Sequence, residues 1–328
     1  MLQIDRIPIA EPVGNEVRVR VEAVALNRAD TLWRAGKYIE EPELPARIGY
    51  DFAGTVEAVG PEVERLRVGA KVSSFPIESL RKYGNHADVT IYPEDGLIEY
   101  PNRFSPEEAA AVNTGLFTAY FPIVEVARVS AGQHVLLTAG SSTTAQAAAQ
   151  IAKSIGATTI ATTRTGTKVE RLLHSGFDHV IVTEQENVTE RVLELTGGVG
   201  ARLVYDAVAG PGLEDLAWAT APQGHLVVYG ALGIGERMTP LPLMACFART
   251  IKLYAGYKIY DFTGHPGLGI ARDRDATERA KRFVLGGLAA GTLRPSIDRI
   301  FHGLDAYRQA HEYMEADRHA GKIVISLR

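Results

Sequence analysis

LLTAGSSTTAQAAAQIAKSIGATTIATTR, residues 136 to 164, reads as an apolar run, a turn of small residues, a long helix and a second apolar run. That is the outline of a dinucleotide-binding unit, in which a strand ends in a tight turn that opens a helix. A pyrophosphate placed there meets unpaired backbone N–H groups and the positive end of the helix. The usual fingerprint has three glycines, whereas TAGSSTTA keeps only Gly140. Ala145 stands at the last fingerprint position. A left-handed backbone would cost it about 1–2 kcal/mol, so it belongs inside the right-handed helix. Ser141, Ser142, Thr143 and Thr144 can cap that helix and donate to phosphate oxygens. By itself the turn is equally a Ser/Thr helix cap in an α/β domain without a nucleotide.

The end of the next strand tips the balance. An NAD-specific site places Asp or Glu about 20 residues on, against the ribose 2′-hydroxyl. Here the segment is ATTRTGTK, with Thr163, Arg164 and Lys168 and no acid among them. A cationic, hydroxyl-rich pocket suits a 2′-phosphate, where one charged hydrogen bond is worth about 1.5–3 kcal/mol. The bland alternative is a solvated loop arginine. Together with the strand–helix–strand context, these residues point to NADPH.

Outward from this unit the chain alternates apolar strands and helices to about residue 230. Examples are KVERLLHSG, HVIVT, NVTERVLELTGG, ARLVYDAVAG, LEDLAWATAPQG and HLVVYGAL. Such alternation predicts right-handed crossovers and a parallel, doubly wound sheet buried on both faces. Before it, EVRVRVEAVAL (16–26) alternates charged and apolar residues like a half-exposed strand, and GTVEAVG, AKVSSF and HADVTIYPEDGLIEYP continue a β-rich region. SPEEAAAVNTGLFTAYFPIVEVA opens with a helix N-terminal signature. The tail adds two helices (DATERAKRFVLGGLAAG and DAYRQAHEYMEAD) and two strands (PSIDRIF and GKIVISL). The expected domains are 1–112 with 257–328, β-rich and substrate-binding, and 113–256, nucleotide-binding.

The 328 residues are 46% hydrophobic and 23% charged, with a net charge of −4, which offers no electrostatic footprint for nucleic acid or a membrane surface. No apolar run is read as a membrane span and no signal peptide is read at the N-terminus, so a cytoplasmic location is expected. The single cysteine, Cys246, lies in LPLMACFAR and reads as a buried small hydrophobe. Tyr254 and Lys258 have the Tyr-x-x-x-Lys spacing of another dehydrogenase chemistry, but TIKLYAGYKIYDF reads as strand and loop rather than one helix face. The G-x-S-x-G elbow of a Ser/His/Asp hydrolase is absent.

Across nearly its full length the chain resembles the medium-chain dehydrogenase/reductase superfamily, on the zinc-independent side with quinone oxidoreductases and enoyl reductases. The resemblance rests on VALNRAD (24–30), GYDFAGTVEAVG (49–60), the 136–164 unit, VYDAVAG (204–210), VVYGALG (227–233) and HAGKIVI (319–325). It implies an α/β protein with a Rossmann-type domain and a β-rich, GroES-like catalytic domain. Zinc-dependent relatives hold metal with cysteine and histidine. At the matching places this chain has Asn27 and Gly49-Tyr50-Asp51, and its nine histidines show no ligand spacing, so no zinc is expected. Hydride transfer to a quinone or an activated C=C then suits the site, because an enone or quinone already delocalises the developing charge.

The resemblance places Asn27 beside nicotinamide and substrate, with capping of the following helix as its alternative. Tyr38 falls at the substrate mouth, either donating a proton or, as its ordinary pKa favours, lining the pocket. Asp30 and Asp51 would each fix a neighbouring turn or the Asn27 loop. Thr114, Thr118, Val208, Gly230, Ala231 and Lys322 fall where relatives wrap the nicotinamide half. The additional lysine of polyketide enoyl reductases is not found, leaving solvent or Tyr38 as proton source. Relatives normally precede LQIDRIPIAEP with another strand, which suggests a shortened enzyme or a domain of a larger synthase. They also place a tyrosine after the third nucleotide-domain strand, where this chain has Thr183. A homodimer through the edge of the nucleotide domain is expected by the same resemblance. A non-catalytic NADPH-binding protein is the rival reading.

Overall fold

The computed structural model describes residues 2–75, 79–233 and 238–328. The chain divides into two compact units. The first comprises the residues up to Thr114 with Tyr260–Thr277 and Leu285–Arg328, and the second comprises Gly115–Ile259 with Glu278–Val284. Residues 278–284 thus belong with the second unit, although the sequence places them with the β-rich part. They are the middle of one helix, Arg274–Ala290, whose two ends stay with the first unit.

In the first unit, β1 (Glu16–Leu26) pairs antiparallel with β2 (Asp51–Val59). The sheet continues through β3 (Lys71–Ser74), while β4 (Val89–Pro93) lies along the outer part of β1 and β5 (Leu97–Glu99) along β3. The alternation in EVRVRV works as read: Val17, Val19 and Val21 are buried while Arg20 is exposed. These valines join Phe52, Val72 and Tyr92 in one core. Burying each valine contributes about 1.5–2 kcal/mol. On the opposite face Ala23, Ala25 and Ala53 meet Ala109, Ala110 and Ala111, small side chains that let helix and sheet approach closely.

Those alanines open the helix Pro106–Tyr120. Its start is a reciprocal cap: Glu108 N–H donates to Ser105 Oγ at 3.2 Å, and Ser105 N–H donates to Glu108 Oε2 at 2.9 Å. The helix widens into a π turn over Phe121–Val126, where Pro122 cannot donate to the Thr118 carbonyl. Among the described residues, the run Pro106–Val126 is long and apolar enough to span a membrane by length and composition, which the sequence reading did not find. Of its most apolar window, 72% is buried inside the protein, as expected of a core helix.

The second unit is a parallel sheet of β6 (His134–Leu137), β7 (Thr158–Thr163), β8 (His179–Val182), β9 (Ala201–Asp206), β10 (Thr220–Val228) and β11 (Lys252–Ala255). Its order is β11-β10-β9-β6-β7-β8, so the chain reverses direction of travel between β6 and β9. That is the doubly wound switch point, where open α/β sheets bind ligands. Leu136, Ile160, Ile181, Val204 and Leu226 form its core with flanking helices. LEDLAWATAPQG is helical only over Leu213–Trp218. Thr220 already pairs with Ala201 in β10, and Gln223 interrupts that strand with a positive φ of 58°. Tyr254 lies in β11 and Lys258 in the following turn, so they share no helix face. Cys246 is half-buried rather than buried.

The chain then returns to the first sheet. β12 (Ile297–His302) runs parallel to β13 (Lys322–Ser326), and β13 pairs antiparallel with the inner end of β1. β13 is buried along its length, so its single charged residue, Lys322, is carried into the interior.

Candidate active site

Lys322 is 1% exposed and its ammonium must be neutralised. Nζ sits 2.6 Å from Asp51 Oδ2 and 2.6 Å from Asn27 Oδ1. Asn27 Nδ2 donates to the same Asp51 oxygen at 2.9 Å, and Thr114 Oγ1 donates to the other at 2.6 Å. Strand ends explain the convergence. Asn27 follows β1, Asp51 opens β2 and Lys322 opens β13, three strands bonded side by side. Register alone brings these polar residues together at one end of the sheet.

Asp30 takes part in the start of the helix that follows Asn27. The backbone N–H of Asn27 donates to Asp30 Oδ2 at 2.7 Å, so Asp30 closes the start of the helix Arg28–Arg34. The Asn27 side chain also faces the Asp30 N–H in a capping box, while its amide nitrogen donates to Asp51 and its oxygen accepts from Lys322. The second Asp30 oxygen is buried without a hydrogen-bond partner among the described residues. Burial raises the Asp30 carboxyl to about 7, although its bond from Asn27 and the Lys322 charge oppose the rise.

Tyr38 is half-buried and lies edge-on to Tyr50, ring centres 6.1 Å apart. Burial raises its hydroxyl to about 12, opposed by its hydrogen bond with Tyr50. Behind Asp51, His86 Nδ1 is 2.5 Å from the Tyr307 hydroxyl, and burial holds the imidazole near 3, far below its ordinary value.

In the second unit the turn after β6 is built as the sequence suggests. Ser142 is the N-cap of the helix Thr143–Ser154, its Oγ accepting from Ala145 N–H at 3.2 Å, and Ala145 is buried within the helix. Lys168 Nζ donates to Ser141 Oγ at 3.2 Å, which brings the cation to the turn. The positive φ belongs to Ala139 (47°) and not to Gly140. Gly140 is needed for packing instead: a Cβ there would meet the Ala161 Cβ at 2.8 Å and the Thr162 carbonyl at 3.3 Å. This is the close helix–strand approach that a dinucleotide turn requires, so the residues present fit a pyrophosphate at the helix end. Across the switch point, Thr138 Oγ1 donates to Asp206 Oδ1 at 2.6 Å, and Asp206 also accepts the N–H groups of Val208 and Ala209.

Val208 and Gly230–Ala231 are adjacent. Leu232 N–H donates to the Ala207 carbonyl and Gly233 N–H to that of Val208, and a Cβ on Gly230 would meet the Ala207 carbonyl oxygen at 2.6 Å. The Thr118 carbonyl, deprived of a donor by Pro122, accepts from the hydroxyls of Tyr205 at 3.1 Å and Tyr257 at 3.0 Å. Arg164 is in place after β7 but its side chain is 84% exposed, and Glu184, beyond β8, approaches its Nε at 3.7 Å. The absence of an acid in ATTRTGTK is therefore offset by one from the turn after the next strand. Thr183 follows β8, its N–H donating to the Thr163 carbonyl. Among the described residues, no group of three or more His, Cys, Asp and Glu side chains is arranged to hold a metal.

Two family models match the chain: an alcohol dehydrogenase GroES-like domain over residues 14–121 and a zinc-binding dehydrogenase over residues 144–264. The quinone oxidoreductase of Pseudomonas aeruginosa is 32% identical over 96% of this chain and 92% of its own. The chain belongs to the medium-chain dehydrogenase/reductase superfamily, in its quinone oxidoreductase branch. As a member it is an NAD(P)-dependent oxidoreductase, with a Rossmann-type and a GroES-like domain. A polyketide synthase subunit of Mycobacterium tuberculosis is 28% identical over 99% of this chain, which spans only 14% of that subunit. Among solved structures, Escherichia coli quinone oxidoreductase complexed with NADPH superposes with a TM-score of 0.83 at 25% identity, covering 99% of this chain and 95% of that one. Asn27 and Asp51 both have the Lys322 ammonium as their partner.

Proposed function

We propose that this oxidoreductase uses NADPH to reduce a quinone or an activated C=C, as in an enone or enoyl thioester. The single observation that carries the reading is the Lys322–Asn27–Asp51–Thr114 cluster. It is a closed set of hydrogen bonds around one ammonium, in the place where zinc-dependent relatives present metal ligands. Such a cluster offers donors and a fixed positive charge but no Lewis acid, which suits substrates that delocalise charge themselves. When bound, the dinucleotide supplies a hydride. Ser141, Ser142, Thr143, Thr144 and Gly140 would hold its pyrophosphate, and Thr163, Arg164 and Lys168 its 2′-phosphate. Thr114, Thr118, Val208, Gly230, Ala231 and Lys322 would hold the nicotinamide half. Asn27 and Tyr38 are assigned to the substrate, Asn27 donating toward its oxygen.

The NADPH-bound Escherichia coli relative supports the cofactor choice. The test is spectrophotometric: NADPH and NADH oxidation against a panel of quinones, enones and enoyl thioesters. Turnover with NADPH is expected. No oxidation with any acceptor, with NADPH binding retained, would show a binding protein instead.

A homodimer is proposed on the same basis. Among the described residues β11 is an edge strand bonded only to β10, and the segment before it exposes Met238, Leu241, Met244 and Phe247. A second copy related by a two-fold axis would cover both. A monomer mass in solution at micromolar concentration would reject this.

A further inference from the structure

Asp206 ends β9 and is fully buried beside the end of β6, at the switch point of the parallel sheet. Among the described residues, every partner of its side chain is a donor. Thr138 Oγ1 accepts the Ala207 N–H at 2.8 Å, so its own proton points to Asp206 Oδ1 at 2.6 Å. Val208 N–H donates to the same oxygen at 3.0 Å, and Ala209 N–H donates to Oδ2 at 2.7 Å. A protonated carboxyl would need an acceptor, so this set of donors holds a carboxylate. No Lys, Arg or His among the described residues forms an ion pair with it.

Fixing the turn after β9 does not call for a charge. Asparagine or serine makes the same kind of local bond to the backbone. A charge buried without a cation is costly, even when hydrogen-bonded. Its field also reaches the neighbouring strand. Burial raises the phenol of Tyr229, just past β10, the Ser142 hydroxyl opposes the rise, and the Asp206 charge adds to it. A fixed anion therefore stands at the ends of β9 and β10 with nothing among the described residues to neutralise it.

We propose that the Asp206 carboxylate favours the oxidised over the reduced dinucleotide, and so makes the bound cofactor a stronger hydride donor. The proposal rests on the nucleotide site described above. With the pyrophosphate at the turn after β6 and Arg164, after β7, on the adenosine side, the nicotinamide half extends over the ends of β9 and β10. Oxidation breaks the C4–H bond of the neutral dihydropyridine ring. The proton and both electrons leave together as hydride to the acceptor, and the ring becomes a cation. The phosphates keep their charges, so their repulsion by Asp206 is the same in both forms and cancels between them. What remains is the attraction of one fixed anion for a positive charge that grows during the transfer. In a buried site that attraction is weakly screened.

The test measures NADP+ and NADPH affinity of the full chain by isothermal titration, in the wild type, Asp206→Asn and Thr138→Val. Asp206→Asn removes the charge and keeps the shape. It is expected to raise the ratio of the NADP+ Kd to the NADPH Kd about ten-fold, the order that one buried charge is worth. That moves the bound couple upward by about 30 mV, toward a weaker hydride donor. An unchanged ratio overturns the proposal, including the case where both affinities fall together, because that is a packing role. Thr138→Val removes a hydrogen bond, leaves the charge and is expected to keep the wild-type ratio. A ratio raised there as much as in Asp206→Asn overturns the proposal too, since geometry rather than charge would be at work. If Asp206→Asn is recovered unfolded, Asp206→Ser carries the same expectation with a smaller neutral side chain. A wild type that binds both dinucleotides but reduces no acceptor overturns the reductase reading and leaves the ratio to decide on Asp206. A wild type that binds neither overturns both.

Discussion

Lys322 and Asp51, 271 residues apart, form an ion pair at 2.6 Å in which each side chain is 1% exposed. A buried pair of this kind is neutral or costly against an apolar pair of equal volume, but breaking it from one side leaves an uncompensated charge. Lys322→Met is therefore expected to lower stability by about 3–5 kcal/mol in denaturant unfolding. Adding Asp51→Asn should restore a good part of that stability without restoring kcat. Recovery of activity in the double variant would show that the pair supports the fold alone.

Arg164 is the residue proposed to set the cofactor preference, and Glu184 approaches it at 3.7 Å. Arg164→Ala is expected to lower kcat/KM for NADPH by about 10–100-fold, the worth of one charged hydrogen bond. The value for NADH should hardly change. Glu184→Gln should move the NADPH value upward by removing a competing charge. Unchanged preference in Arg164→Ala means that the 2′-phosphate, or its absence, is read elsewhere.

Gly140→Ala tests the phosphate turn without touching a donor. The new methyl would sit 2.8 Å from the Ala161 Cβ, so the helix Thr143–Ser154 must lift from β7. Overpacking of this kind costs about 1–3 kcal/mol. Dinucleotide affinity, read by isothermal titration, is expected to fall at least several-fold. Wild-type affinity would place the pyrophosphate away from this turn.

Asp30 and His86 give stability opposite pH slopes. The Asp30 carboxyl moves from an ordinary 3.8 to about 7 on folding, so the folded chain binds the extra proton between those values. Stability from this group falls as pH rises through that window, and the cost is complete above pH 7. His86 is displaced downward from 6.5 to about 3, so its contribution is present above pH 6.5 and is lost as pH falls toward 3. Asp30→Asn should therefore raise the melting temperature at pH 8 more than at pH 5. The His86 imidazole should show no titration by NMR down to pH 5. A histidine resonance titrating near 6.5 that disappears in His86→Asn would contradict the burial argument.

Much of the nucleotide half was legible because its signals are local. A strand, a hydroxyl-capped turn and a helix lie within 29 consecutive residues, and Ser142 and Ala145 take the places their chemistry dictates. Gly140 was legible in identity but not in reason: its backbone is ordinary, and only the nearness of β7 makes a side chain intolerable. Glu184 was missed because it reaches Arg164 through the parallel pairing of β7 with β8, which no spacing in ATTRTGTK reveals.

The sequence by itself determined the class of fold. A period of two in EVRVRV, apolar strands alternating with helices, and the 136–164 unit each act over a few residues, where local geometry and burial suffice. It also determined that the cysteine and histidine pattern of zinc-dependent relatives is absent at Asn27 and Asp51. Only the tertiary structure decided what stands there instead. Lys322 reaches those residues because β13 pairs with β1 and β1 with β2, and Tyr260 reaches Tyr50 across 210 residues. Such contacts are set by strand register and by the need to neutralise buried polar groups, which are properties of the folded chain as a whole.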